Sequence, residues 1–297
     1  MSGDALTTEL TAAARLVTDA LDRRLKTAGG PRGRVIEAMR WGSLNGGKRL
    51  RPFLVLQSAA LFDVPPRRAL AAAVALEMVH CYSLIHDDLP AMDNADLRRG
   101  RPTVHRQFDD ATAVLAGDGL LTEAFGVLAE EGTHPDPAVR CALIAGLAAG
   151  AGAAGMVGGQ MIDLSPERNG LDLAGITELQ ALKTGALIVY ACEAGAILGG
   201  AEPAERQALV GYGQDIGLAF QIADDLLDVE STTEQLGKPA GADAQNDKAT
   251  FVRHLGVEGA RAKARALVAS AQQRLDSFGK KADFLRWTAM FVLERRS

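Results

Sequence analysis

The sequence predicts an all-α fold, a single-domain bundle of about ten or more helices. Three observations carry that expectation. Apolar residues recur at helical spacing through most of the 297 residues, and no stretch alternates with period two over a useful length. Ala, Leu and Gly dominate while aromatic residues make up only 5%, which suits helices packed closely through small side chains. No repeat or linker divides the chain, so residues 1–297 read as one domain.

The first helix is expected over residues 5–27, where Leu6, Leu10, Ala13, Leu16, Val17, Leu21 and Leu25 fall on one stripe. Gly29-Gly30-Pro31 ends it. A second helix over 32–41 precedes the loop Gly42 to Gly47, and Pro52 suits the first turn of a third helix that runs to Leu61. Residues 67–88 form a long apolar helix expected to be central. Pro90 stops it, so Asp93 lies on a turn that folds back beside Asp87. Further helices are expected over 110–131, 136–164, 175–199, 204–229, 258–278 and 282–294. The polar stretch 230–248 is the one long loop of the second half, and loops of that length tend to be functional lids or disordered segments.

Composition excludes several function classes. Hydrophobic residues at 47% and charged residues at 23% are ordinary for a soluble globular protein. A net charge of −5 argues against a general nucleic-acid binder, which would show a basic face. Cys81, Cys141 and Cys192 lie far apart in apolar surroundings and read as core thiols in a reducing compartment. No charged-then-apolar signal opens the chain, and no uninterrupted apolar span approaches the ~20 residues of a membrane helix. A cytoplasmic protein is the expectation.

Two acidic segments carry the chemistry. Asp87, Asp88 and Asp93 sit in HCYSLIHDDLPAMD, and Asp224, Asp225 and Asp228 in GLAFQIADDLLD. Carboxylates crowded into apolar sequence repel one another and resist burial, so the working state calls for a shared cation. Oxygen donors without paired Cys or His favour Mg²⁺ or Mn²⁺ over zinc, and Mg²⁺ held by few carboxylates completes its shell with phosphate oxygens and water. Helix geometry sharpens this: Asp224 and Asp228 differ by about 40° and share a face, with Gln221 about 60° away. His80 and Asp87 differ by about 20° and lie ~10.5 Å apart along one face. Cations surround the acidic sets. Gly46-Gly47-Lys48-Arg49-Leu50-Arg51 is a Gly-rich basic turn entering a helix, suited to a diphosphate. Arg98 and Arg99 follow the first set, Lys183-Thr184-Gly185 interrupts an apolar helix, and Lys238 and Lys248 punctuate the long loop.

The stretches GGKRLRP, HCYSLIHDDLPAMDNADLRRGRPTVH, GMVGGQMIDL, LKTGALI, FQIADDLLD and LGKPAGAD…KAT, in that order, resemble the short-chain trans-polyprenyl diphosphate synthases from about residue 35 to the C-terminus. The bacterial farnesyl diphosphate synthases resemble the chain most. The resemblance implies an all-α fold around a deep central cavity, a homodimer, and head-to-tail joining of isopentenyl diphosphate to an allylic diphosphate. It implies Mg²⁺, three ions per active site, with Mn²⁺ able to substitute. By the same resemblance Asp87, Asp88 and Asp93 form one metal-binding set and Asp224, Asp225 and Asp228 the other, with Asp224 the most direct ligand there. Arg98, Lys183 and Lys238 would hold the allylic diphosphate, and Lys48, Arg51, His80 and Arg99 the isopentenyl diphosphate. Gln160, Asp163, Thr184, Gln221 and Lys248 would line the same chamber. The resemblance implies a catalytic role for Lys183, Thr184 and Gln221. A buried, hydrogen-bonded structural amide is the competing reading for Gln160 and Gln221.

An aromatic residue at Tyr82, beside Ser83, goes in similar enzymes with a fifteen-carbon product. Helix angles instead place Ser83 nearest to Asp87, so Tyr82 as the floor of the pocket rests on resemblance. Farnesyl diphosphate is the expected product, and geranylgeranyl diphosphate the alternative. A class I terpene cyclase or a non-catalytic subunit of a heteromeric prenyl transferase would share part of this pattern. The cyclase would lack the second acidic set, and the subunit can lose one; this chain keeps both. Two departures from the pattern, Phe251-Val252 where similar enzymes often carry Tyr-Pro and the terminal ERRS, bear on closure around the substrate. The loop from Lys238 to Lys248 and the tail Arg295-Arg296 are the expected closing elements.

Overall fold

The computed structural model describes residues 2–27, 29–230 and 249–294, and helix dominates them. The chain forms two compact units, 1–145 and 146–297. In the first, α1 (Ser2–Arg24), α2 (Pro31–Ser43), α3 (Leu50–Ala60) and α4 (Pro66–Asp87) are followed by a short hairpin. Its strands are β1 (Leu97–Arg98) and β2 (Arg101–Pro102), and α5 (Val104–Gln107) and α6 (Asp110–Ala129) come next. The stripe foreseen on α1 is buried at Leu6, Ala13, Val17 and Leu21. Pro31 opens α2, where its missing N–H is no loss. α4 packs against both α3 and α6. It is apolar on nearly every side, and Ala72, Ala73, Leu76 and Met78 are fully buried, as a central helix requires. Asp109 caps α6 by accepting from the Thr112 amide at 2.7 Å.

α7 (Pro137–Ala151) runs across the division at residue 145. The second unit holds α8 (Met156–Leu164), a 3-10 turn Pro166–Gly170, α9 (Leu173–Gln180), a π-helical turn Ala181–Gly185 and α10 (Ala186–Leu198). The chain continues through α11 (Pro203–Glu230), α12 (Phe251–Arg274), a 3-10 stretch Asp276–Ala282 and α13 (Asp283–Glu294). α11 lies against α10 with almost no side chain between them: a Cβ on Gly213 would come within 2.8 Å of the Val189 Cα. Phe251, Ile222, Ile176 and Ala264 form the core that joins α9, α11 and α12. The buried Tyr212 hydroxyl donates to the Leu285 carbonyl at 2.7 Å and ties α11 to α13.

Several expectations are corrected. The helix foreseen over 136–164 is two helices, because the glycine-rich stretch between α7 and α8 gives up helical geometry at Gly155 (φ −142, ψ −128). The one over 175–199 contains the π turn. α12 starts at Phe251 rather than 258, since Thr250 caps it, and Gly256 then kinks it at φ 67. Cys141 is exposed on α7, whereas Cys81 and Cys192 are buried as expected. Four stretches, Pro66–Asp87, Asp110–Ala129, Pro137–Leu164 and Leu173–Leu198, are long and apolar enough to cross a membrane by length and composition alone, contrary to the sequence expectation. The alanine-rich composition raises their hydropathy; packing already covers most of the first and the last.

Candidate active site

α4 ends at Asp87 and the chain reverses at Leu89-Pro90. The Asp93 amide donates to the Asp87 carbonyl at 2.8 Å and the Ala95 amide to the Asp88 carbonyl at 3.1 Å, so Asp93 folds back on the helix end as the proline predicted. The three aspartates differ in surroundings. Asp93 is exposed and Asp87 half-buried. The Asp88 side chain is 4% exposed and is gripped by Arg98, whose Nε lies 2.9 Å from both carboxylate oxygens and whose Nη2 lies 2.7 Å from Oδ1. Burial alone would lower the Arg98 pKa, yet Asp88, Asp87 and Asp93 together raise it. Arg98 therefore joins the acidic turn to the hairpin that follows. That hairpin turns at Arg99 and Gly100, both with positive φ (52° and 75°), as a two-residue connection of right-handed twist demands.

The basic turn packs against the same hairpin. Asn45 donates to the Arg98 carbonyl at 3.1 Å, and Arg99 donates to the Gly46 carbonyl. A Cβ on Gly47 would come within 2.6 Å of the Arg99 guanidinium, and Gly47 also has φ 110, so only glycine fits. Lys48 is exposed and Arg51 half-buried. His80, on α4, is held well below its ordinary pKa by burial first and then by the charges of Arg51, Arg99, Arg49 and Arg98. A neutral imidazole amid guanidinium groups has one N–H to donate. The structure thus brings Arg51, His80, Arg98 and Arg99 together beside the first acidic set. Tyr82, 7% exposed, meets the His86 ring edge-on at 5.7 Å, while the Ser83 hydroxyl donates to the His80 carbonyl at 2.9 Å.

The second unit gathers its own set. The π turn widens the helix at Lys183-Thr184, and single-turn widenings of this kind recur at functional sites. α8 lies directly on it, because a Cβ on Gly159 would come within 2.2 Å of the Lys183 amide nitrogen. The Lys183 ammonium pairs with Asp163, which also pairs with Arg168 at 2.7 Å. Arg168 was not foreseen, and it has no motif spacing that would reveal it. Both polar atoms of the Gln160 amide are buried with no hydrogen-bond partner among the described residues. A structural amide would be satisfied, so the ligand-facing reading gains. On α11 Asp224 is exposed, and Asp225 and Asp228 are buried. Asp225 accepts from the Phe251 amide at 2.8 Å and so helps open α12. Gln221 is half-buried, one turn before Asp224. Lys238, Lys248, Arg295 and Arg296 lie outside the described residues.

The chain matches the Polyprenyl synthetase family over residues 34–286, across both units. It belongs to the polyprenyl synthetase family. It is 44% identical over 260 residues to a farnesyl diphosphate synthase of Geobacillus stearothermophilus, covering 87% of each chain. It is also 44% identical over 248 residues to a chloroplastic geranylgeranyl pyrophosphate synthase of Arabidopsis thaliana, covering 82% of this chain and 68% of the other. Among solved structures, an FPP/GFPP synthase from Zymomonas mobilis superposes with a TM-score of 0.89 at 47% identity, covering 99% of this chain and all of that one. Relatives with different printed products share the same 44% identity with this chain, so percentage identity alone does not set them apart.

Enzymes of the polyprenyl synthetase family use divalent metal. The donor chemistry fits such an ion: both acidic sets offer hard carboxylate oxygens, with no thiolate or imidazole cluster among them. Among the described residues no three acidic, His or Cys side chains converge into a ready-made metal cage. Mg²⁺ is seldom held in such a cage; one or two carboxylates grip it and substrate phosphates complete the shell.

Proposed function

We propose that this protein is a Mg²⁺-dependent trans-prenyltransferase that condenses isopentenyl diphosphate with dimethylallyl or geranyl diphosphate to give farnesyl diphosphate and diphosphate. One observation carries the reading. Arg98 grips the Asp88 carboxylate near Asp87 and Asp93, and with the cations Arg51 and Arg99 it surrounds a neutral His80, so an acidic turn and a basic turn occur in one compact unit. Asp87, Asp88, Asp93, Asp224, Asp225 and Asp228 would hold the metal, three Mg²⁺ in all, with Mn²⁺ an acceptable substitute. In the second set Asp224, exposed on α11, would be the most direct ligand. When bound, the metal supplies positive charge where the leaving diphosphate develops negative charge.

The chain's own groups do the rest. Arg98, Lys183 and Lys238 hold the allylic diphosphate; Asp163 aims the Lys183 ammonium, and fixed cations stabilise the departing anion without reorganising. Thr184, Gln221 and Gln160 line the reacting region. Lys48, Arg51, Arg99 and the His80 N–H hold isopentenyl diphosphate, whose double bond attacks the allylic carbon. Among the described residues no side chain is placed as an obvious general base, and the departing diphosphate takes the proton. Water has to be excluded, because it would otherwise trap the cation as an alcohol. Tyr82, buried and braced by His86, closes the pocket at fifteen carbons, with Ser83 beside it.

We further propose that both units act as one domain, which the family match across residue 145 supports. A cytoplasmic homodimer without membrane spans is the companion reading. Val114 and Leu115 on α6 are 41% and 58% exposed and offer an apolar face to a second copy. The test is incubation of the pure protein with dimethylallyl diphosphate, isopentenyl diphosphate and Mg²⁺, followed by product sizing. A fifteen-carbon product is expected. A twenty-carbon product overturns the chain length, a cyclic hydrocarbon makes the protein a cyclase, and no product makes it a partner subunit.

A further inference from the structure

Arg49 sits inside the basic turn but plays a different part from Lys48 and Arg51. Its side chain is 1% exposed and pairs with Glu77, itself 3% exposed, on α4. The same guanidinium donates to the Ser43 carbonyl, the last residue of α2, and approaches the Cys81 sulfur at 3.8 Å. One fork therefore links α2, the turn and α4. Its backbone is left-handed (φ 49, ψ 40) where α3 begins, a conformation that a non-glycine residue keeps only when its surroundings impose it. The Arg49 carbonyl then accepts from the Phe53 amide at 3.0 Å and starts the helix. Lys48 immediately precedes this residue and Arg51 lies in the first turn after it. On α4, Glu77 and Cys81 are four residues apart and His80 lies between them, so the helix that anchors Arg49 also presents His80.

Resting on the function proposed above, we infer that the buried Arg49–Glu77 pair positions the isopentenyl diphosphate half of the site by locking the left-handed turn from which Lys48 and Arg51 extend. Arg49 touches no substrate; it acts through its neighbours. A guanidinium suits this because its fork reaches a carboxylate and a carbonyl at once, which an ammonium does not.

The test compares the wild type with Arg49→Met/Glu77→Leu, which removes both charges and leaves neither one buried alone, a change that folds often tolerate. The Kd of isopentenyl diphosphate by calorimetry with Mg²⁺, and its KM, should rise about tenfold, while kcat and the KM for geranyl diphosphate stay within about twofold, as loss of uniform binding of one substrate requires. Should the double variant fail to fold, Arg49→Lys carries the test. It keeps a charge beside Glu77, loses the fork, and should raise the same two constants selectively. Unchanged constants in a folded variant, or equal rises for both substrates, overturn the positioning role. A wild type that binds isopentenyl diphosphate without extending it overturns the proposed function but leaves the pair to be judged by Kd. A wild type that does not bind it overturns both.

Discussion

Asp87 and Asp88 are adjacent in sequence, yet Asp87 is half-buried while Asp88 is buried against the Arg98 guanidinium. Asp87→Asn and Asp224→Asn should each lower kcat by about 100-fold or more, the range for losing a group that stabilises developing charge. Asp88→Asn should lower both activity and stability, because it leaves the Arg98 guanidinium without its carboxylate. Steady-state kinetics with parallel thermal denaturation read both effects. Tyr82→Ala should lengthen the product beyond fifteen carbons, read by product chromatography; unchanged length removes Tyr82 from that role. Asp109 gives a pH prediction. Arg34 first, then the Thr112 amide and hydroxyl, hold its carboxyl at about 2, below the ordinary ~3.9. A carboxyl depressed by folding stabilises above its unfolded pKa and ceases to do so as pH falls through its folded one. The melting-temperature gap between wild type and Asp109→Ala should be full near pH ~6 and close between about pH 4 and 2. At this scale the aspartates and the fold-back at Pro90 were legible in the sequence, because residue type and a proline specify them. The Asp88–Arg98 grip, the Arg49–Glu77 pair and Arg168 were not, since they depend on tertiary approach rather than spacing.

Helices show the same division between what local sequence dictates and what packing imposes. Positions of α1 to α4, α6 and α11 followed from apolar periodicity and proline placement within a few residues. The break between α7 and α8 was hidden because Gly and Ala keep a helical pattern of hydropathy whether or not the backbone stays helical. The π turn at Ala181–Gly185 was marked only by the polar Lys183-Thr184 in an apolar run. Gly159 packs directly on the Lys183 backbone there. Gly159→Ala should therefore displace Lys183 and raise the KM for the allylic diphosphate more than that for isopentenyl diphosphate, which steady-state kinetics would show. Packing also sets the stability of the second unit. Tyr212→Phe removes the donor to the Leu285 carbonyl and should cost about 1–3 kcal/mol, measured by denaturant unfolding, with kcat unaltered.

For the whole chain, helical class and family were legible because motif order and small-residue composition extend through both compact units. Assembly was not, since an apolar surface residue resembles a core residue in sequence. Leu115→Asp on the exposed side of α6 should convert a dimer to a monomer in sedimentation velocity; a wild-type monomer removes that reading. The central claim is that acidic side chains from residues 87–93 and 224–228 hold divalent metal so that an allylic diphosphate can ionise. It is tested most directly by following diphosphate release from geranyl and isopentenyl diphosphates in the wild type and in Asp87→Asn/Asp224→Asn, each with Mg²⁺ and with excess chelator. The account predicts one diphosphate released per farnesyl chain formed by the wild type with Mg²⁺, and almost none under the other three conditions. Undiminished release after chelation, or from the double variant, would contradict it.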